Sequence, residues 1–222
     1  MDGADVIDYI VENSIDGVLV ECGVEGGNME VAWIHRLKYH REVRDIYMYD
    51  TFTGLTEPGE HDYTCDDATL YSMNKHQVYA TWKNYQREHG NDWCFASLSS
   101  VQSRLSHTGY PEERLHYVVG DVMETLRGEL PDRIAVLRLD TDWYESSKME
   151  LEMLYDKVVP GGVIIFDDYY HWNGQRKATD EFFSERGLSY EFVRINQKTA
   201  AILVQRAFPL AFGQKKPALS ES

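Results

Sequence analysis

Two apolar runs in this 222-residue chain stop at paired carboxylates, and no other feature constrains the fold as tightly. Ile134–Leu139 (I-A-V-L-R-L) runs into Asp140 and Asp142, and V-I-I-F at 163–166 runs into Asp167 and Asp168. Short β-rich runs joined by a helical stretch read as a β-α-β unit with parallel strands. Parallel strands carry their carboxyl ends to one edge, so all four aspartates arrive at one rim, where open α/β sheets bind ligands. Carboxylates gathered there repel one another unless a cation sits among them. Oxygen-only ligation suits a hard divalent ion, with magnesium, manganese or calcium ahead of zinc. One aspartate after a strand is ordinarily a cap or a turn residue. Acid pairs after both strands favour a metal site.

The first half of the chain repeats the strand-to-rim logic with glycine. G-V-L-V-E-C at 17–22 suits a buried strand, and Gly23, Gly26 and Gly27 follow before a helical pattern through Trp33 and Leu37. Strand, glycine turn and helix open a Rossmann-like half, and the glycines let a ligand approach the backbone. The spacing E-C-G-V-E-G-G is not the G-x-G-x-x-G of dinucleotide enzymes, and Glu21 would repel a pyrophosphate but suits an ammonium. The strand at 46–49 ends at Asp50, where an acid accepts ribose hydroxyls or simply starts the turn at Thr51. Leu115–Val119 ends at Gly120 and Asp121, and Asp121 meets an adenine edge or caps the helix at 122–126.

Glu21, Gly23, Gly27, Asp50, Gly120 and Asp121 thus describe a pocket for an adenosine ligand with an amino group and no phosphates, which fits S-adenosylmethionine. Asp140, Asp167 and Asp168, with Asp142 close by, describe a neighbouring pocket for Mg2+ or Mn2+. A methyl donor beside such an ion suggests O-methylation, because the cation lowers the pKa of a bound hydroxyl and aims its oxygen.

Residues 55–95 fit a plain α/β repeat poorly. They carry Tyr63, Tyr71, Tyr79, Trp82 and Tyr85, with a helical pattern at 78–89 preceded by what reads as a mobile loop. A lid supplying aromatic walls to the site is one reading, and a surface excursion is the other. Helical patterns open the chain at Val6–Val11 and recur at 98–105, 143–158 and 176–186. Strands at 190–195 and 200–205 form a closing hairpin around Asn196–Thr199, and 208–222 is a loose basic tail. Met149 and Met153 fall on the core face of their helix.

Length allows one domain over residues 1–222. A formal net charge of −15 makes nucleic acid and anionic membrane poor partners. No run is long enough for a membrane span, and the acidic N-terminus is unlike a secretory signal. Cys22, Cys65 and Cys94 form an odd, unpaired set, which agrees with a reducing cytoplasm.

Five segments carry a family resemblance: V-L-V-E-C-G-V-E-G-G, Y-D-T-F-T-G-L, G-Y-P-E-E-R-L-H-Y-V-V-G-D-V-M-E-T-L, L-D-T-D-W-Y-E-S-S and P-G-G-V-I-I-F-D-D-Y. Over residues 17–183 the chain resembles the macrocin O-methyltransferases, which methylate sugar hydroxyls in antibiotic biosynthesis with S-adenosylmethionine and magnesium. The resemblance implies a class I methyltransferase fold with a mostly parallel seven-stranded sheet. It also implies Asp140, Asp167 and Asp168 as metal ligands, Asp142 as general base and a homodimer. His171, past the same rim, is an alternative base. The acceptor expected is a sugar or glycosylated natural product. A catechol or phenol acceptor is the rival, weakened because the L-D-T-D-W-Y stretch lacks a lysine. A non-catalytic S-adenosylmethionine-binding domain is a further alternative, which the intact acids disfavour.

Overall fold

The computed structural model describes residues 4–204. The chain opens with helix α1 (Asp5–Glu12), strand β1 (Val18–Cys22), helix α2 (Asn28–His40) and strand β2 (Ile46–Asp50). A long excursion follows, holding α3 (Lys75–Asn84) and the two-residue strands β3 (Gln86–Arg87) and β4 (Gly90–Asn91). Then come α4 (Leu98–Ser106), β5 (Leu115–Val119), α5 (Val122–Thr125), β6 (Ile134–Leu139), α6 (Tyr144–Leu154), β7 (Val158–Phe166), α7 (Asn173–Glu185), β8 (Val193–Arg194) and β9 (Ala200–Leu203).

Seven strands form one sheet in the order β5-β2-β1-β6-β7-β9-β8. The first five are parallel, and β9 runs antiparallel to both β7 and β8. The expected mostly parallel sheet with a closing antiparallel hairpin is therefore the observed one. Strand order reverses between β1 and β6, and that switch point is where an open α/β sheet leaves its crevice.

Alternation along the strands sorts the core into two layers. Leu19, Val136, Val163 and Ile165 pack with Ile7, Trp33 and Leu37 of α1 and α2. Val20, Leu137, Ile164 and Phe166 pack with Leu151, Leu154, Phe182 and Phe183 of α6 and α7. Burying each such side chain contributes roughly 1.5–3 kcal/mol. Cys22 is fully buried, and Met149 and Met153 lie against the second layer, as their spacing implied. Cys22, Cys65 and Cys94 are all free thiols.

The excursion departs from its sequence reading. Its helix occupies Lys75–Asn84, opened by an Asn74–Gln77 capping box, rather than 78–89. It ends early because buried Asn91, from beyond the turn, donates its Nδ2 to the Trp82 carbonyl at 2.8 Å. The stretch expected to be a mobile loop is tied down. Thr64 bridges Trp172, the Cys65 N–H donates to the His171 carbonyl at 2.8 Å, and buried Asp62 accepts from the Gly59 and Tyr144 N–H groups. The 208–222 tail lies outside the described residues. Among the described residues, no helix is long and apolar enough to cross a membrane.

Candidate active site

One cavity of about 320 Å³ opens at the switch point, and every parallel strand sends residues at or just past its carboxyl end to it. Gly23 follows β1, Asp50 ends β2, Gly120 and Asp121 follow β5, Asp140–Asp142 follow β6, and Asp168 follows β7. Gly23 has φ +86, and a Cβ there would stand 2.1 Å from the Asp140 carbonyl oxygen. Only glycine lets the first turn close against the end of β6. Its neighbour at the start of α2, Gly27, takes the left-handed N-cap and packs on Val101. Gly27 does not line the cavity.

Asp50 and Asp121 each face the cavity while also holding backbone. The Asp50 carboxylate accepts from the N–H groups of Val24 (2.7 Å), Glu25 (3.0 Å) and Phe52 (2.6 Å). It therefore ties the glycine turn to the end of β2. Asp121 accepts from the Met123 N–H at 2.9 Å, so its helix-cap reading holds alongside its place in the wall.

Glu21 is placed elsewhere than a pocket lining. It is 1% exposed, pairs in register with Arg138 on β6 and accepts a hydrogen bond from its guanidinium. A charge inside a parallel sheet must find a partner on a neighbouring strand, and this one does. Burial, reinforced by nearby Glu30, raises the Glu21 pKa well above the usual carboxylate range.

Ligand oxygens of Asp140, Asp142 and Asp168 lie within 4.8 Å of one another. Strand β6 stops at Leu139, and Asp142 reaches the cluster through a turn with φ +66. Glu25 (φ +47) and Cys94 (φ +54), both lining the cavity, share this left-handed conformation, which costs side-chain-bearing residues energy and concentrates at functional sites. Burial raises the pKa of Asp140 despite Arg138, and raises that of Asp142, where the charge and hydrogen bond of Asp168 add to it.

Asp167 stands apart from that cluster. Its Oδ1 accepts from Arg138 Nη2 at 2.7 Å and from Thr199 Oγ1 at 3.3 Å, and its Oδ2 is held by Lys198. Burial alone would raise its pKa, but the Arg138 and Lys198 charges prevail and hold it below the usual range.

Three residues beyond the sequence reading complete the site. Arg138 pairs with Glu21, Asp140 and Asp167. Gln175 of α7, fully buried, donates to the Leu139 carbonyl at 3.0 Å and accepts from the Asp168 N–H at 2.7 Å, clamping the ends of β6 and β7. Lys198 projects from the β8–β9 turn and lies 3.2 Å from Asp168 Oδ1. Arg138 did leave a signal, a lone charge in a six-residue apolar run. Lys198 and Gln175 left none, because only the tertiary fold brings them here.

Aromatic residues wall the other side. Trp93, Trp143 and Trp172 pack edge-to-face on one another and on Val78 of α3. Tyr71 lies edge-on to His171 with ring centroids 4.5 Å apart. His171 is 2% exposed and lines the cavity, with neither ring nitrogen hydrogen-bonded among the described residues. Burial outweighs the Asp168 charge and lowers its pKa, keeping the imidazole neutral.

The donor set is oxygen-rich and fits a hard divalent ion. Four aspartates (140, 142, 167 and 168) face two cations, Arg138 and Lys198, so acidic groups outnumber cations at this end of the cavity.

Comparison with known proteins agrees with this geometry. The family model described as macrocin-O-methyltransferase matches residues 3–203. Demethyldecarbamoylnovobiocin O-methyltransferase of Streptomyces niveus is 28% identical over 193 residues, covering 86% of this chain and 67% of that protein. Mycinamicin III 3''-O-methyltransferase of Micromonospora griseorubida is 26% identical over 195 residues, covering 86% and 70%. The chain thus spans about two thirds of the length of these relatives. Among solved structures, the O-methyltransferase NovP superposes with a TM-score of 0.77 at 25% identity, covering 92% of this chain and 78% of that one. The calicheamicin methyltransferase CalS11 superposes with a TM-score of 0.64 at 19% identity, covering 90% and 76%, a likeness of fold.

Proposed function

The chain belongs to the macrocin O-methyltransferase family, whose members are S-adenosylmethionine-dependent, and from that premise we propose that it methylates a hydroxyl on a sugar or polyol of a natural product with the aid of a divalent metal ion. One observation carries the reading. A single cavity joins the glycine turn and rim acids of the first half to the aspartate cluster of the second, so donor and acceptor would meet in one space. A further relative, from Streptomyces olivaceus, is named as the 4'-O-methyltransferase of a rhamnosyl tetracenomycin, which supports a sugar acceptor.

In this reading Gly23, Asp50, Gly120 and Asp121 flank the nucleoside end, and Asp140 and Asp168 of the convergent cluster would hold the ion, with Asp167 beside them as the third acid. The ion, when bound, polarises the acceptor hydroxyl and lowers its pKa. Asp142 takes the hydroxyl proton. Burial and the adjacent Asp168 raise its pKa, which makes it a stronger proton acceptor than an ordinary carboxylate, whereas Asp167, held by Arg138, suits a ligand. His171, neutral and with free nitrogens, is placed to hydrogen-bond the acceptor. The aromatic wall of Tyr71, Trp93 and Trp172 offers flat faces to a sugar ring and excludes water. Assembly as a homodimer belongs to the same reading and is read out by light scattering.

The test is methyl transfer from S-adenosylmethionine to a panel of glycosylated and phenolic acceptors, with magnesium and with chelator. Magnesium-dependent transfer to sugar hydroxyls is expected. Transfer that survives chelation overturns the metal assignment, and transfer confined to phenols overturns the acceptor.

A further inference from the structure

We propose that Lys198 is a built-in rival of the metal ion: its ammonium bridges Asp167 and Asp168 in the metal-free protein and must be displaced for the site to load. The inference rests on the metal reading above, and goes beyond it by assigning a role to a residue outside the rim loops.

The hairpin is constructed to deliver this side chain. Antiparallel pairing places Ala200 opposite Phe166, so the residues just before β9 lie beside those just after β7. The Asn196 side chain accepts from the N–H groups of Lys198 (2.8 Å) and Thr199 (2.9 Å), which sets the turn. The Tyr170 N–H donates to the Lys198 carbonyl at 2.9 Å, fastening that turn to the segment after the aspartates. From there Nζ bonds to Asp167 and lies 3.2 Å from Asp168 Oδ1. Thr199 Oγ1 occupies the other Asp167 oxygen together with Arg138.

Ammonium and dication compete for the same oxygens. A carboxylate oxygen holding a charged N–H is not free to a metal, and two cations so close repel in a partly desolvated site. The relation between the two guanidinium and ammonium partners is unequal. Arg138 is buried in the sheet and locked to Glu21, so it stays. Lys198 is 36% exposed at its side chain and hangs from a turn, so it can swing out to solvent.

Calorimetric titration of Mg2+ into the whole chain and into Lys198→Met and Lys198→Arg separates the possibilities. Lys198→Met is expected to bind Mg2+ about tenfold more tightly than the wild type, and Lys198→Arg about as weakly as the wild type. A second measurement needs no variant. Amine acetylation of Lys198 in the wild type, followed by mass spectrometry, should increase several-fold when saturating Mg2+ is added, as the ammonium is released. Equal or weaker binding by Lys198→Met, or acetylation unchanged or suppressed by Mg2+, overturns the inference while leaving the metal site standing. Failure of every form to bind Mg2+ or Mn2+ instead overturns the metal reading itself.

Discussion

Asp142 combines three properties that rarely meet in one residue: burial, left-handed backbone and a carboxyl pressed against another carboxyl. Under the proposed assignment as base, it should be separable from the ligands by substitution. Asp142→Asn is expected to lower kcat by about 10²- to 10⁴-fold while Mg2+ affinity changes little, as calorimetry would record. A loss of Mg2+ binding comparable to that of Asp140→Asn would make Asp142 a ligand. Sequence made the residue visible and its geometry invisible. The acid pair after β6 marked it, but strand alternation ends at Leu139 and a left-handed turn brings Asp142 to the cluster. Glu21 shows the converse. Its place before the glycine turn suggested a ligand contact, but an isolated charge on β1 is drawn to the charge opposite it on β6.

Elements explain why the aromatic wall stands where it does. The 55–95 excursion is anchored through Asp62, whose Oδ1 accepts from the Tyr144 N–H at 2.8 Å and so caps the start of α6, a helix with no side-chain cap of its own. Gly174 makes room for it, because a Cβ there would sit 2.0 Å from the same oxygen. Asp62→Ala should therefore lower stability by about 1–3 kcal/mol in denaturant unfolding. It should also raise the acceptor KM more than that of S-adenosylmethionine, since the wall loosens while the glycine turn does not. Equal changes in both would place the segment outside acceptor binding. Strand and helix periodicity located the sheet strands, and it could not locate this anchoring. The contacts join residues about 80 positions apart, and no local pattern reports them.

At the scale of the whole molecule, buried acids dominate the response to pH. Glu30 and Glu150 have pKa values raised first of all by burial. Above about pH 4, where unfolded glutamates lose their protons, the folded state retains them, so stability falls as pH rises through this window. Asp45 and Asp167, whose pKa values are lowered, act in the opposite sense, and their contribution is lost as pH falls below the ordinary carboxylate range. The metal-free protein should therefore melt at a higher temperature at pH 5 than at pH 8. Glu150→Gln, which keeps the 2.7 Å hydrogen bond from Thr141, should shrink that difference by roughly 2–4 °C per kcal/mol recovered. An unchanged profile would mean that Glu150 does not titrate in this range.

The Arg138 hub bears on how the chain avoids misassembly. All six residues of β6 are buried, and five are apolar, so the two faces of the strand are nearly interchangeable to a hydrophobic core. A slip of one position against β1 and β7 would cost little in burial, yet it would turn the guanidinium away from Glu21 and Asp167. The charge thus serves as a registration mark that proofreads strand alignment during folding. Arg138→Met, with Glu21→Gln and Asp167→Asn to remove the stranded acids, should refold into more than one species, resolvable as duplicated amide resonances where the wild type gives single ones.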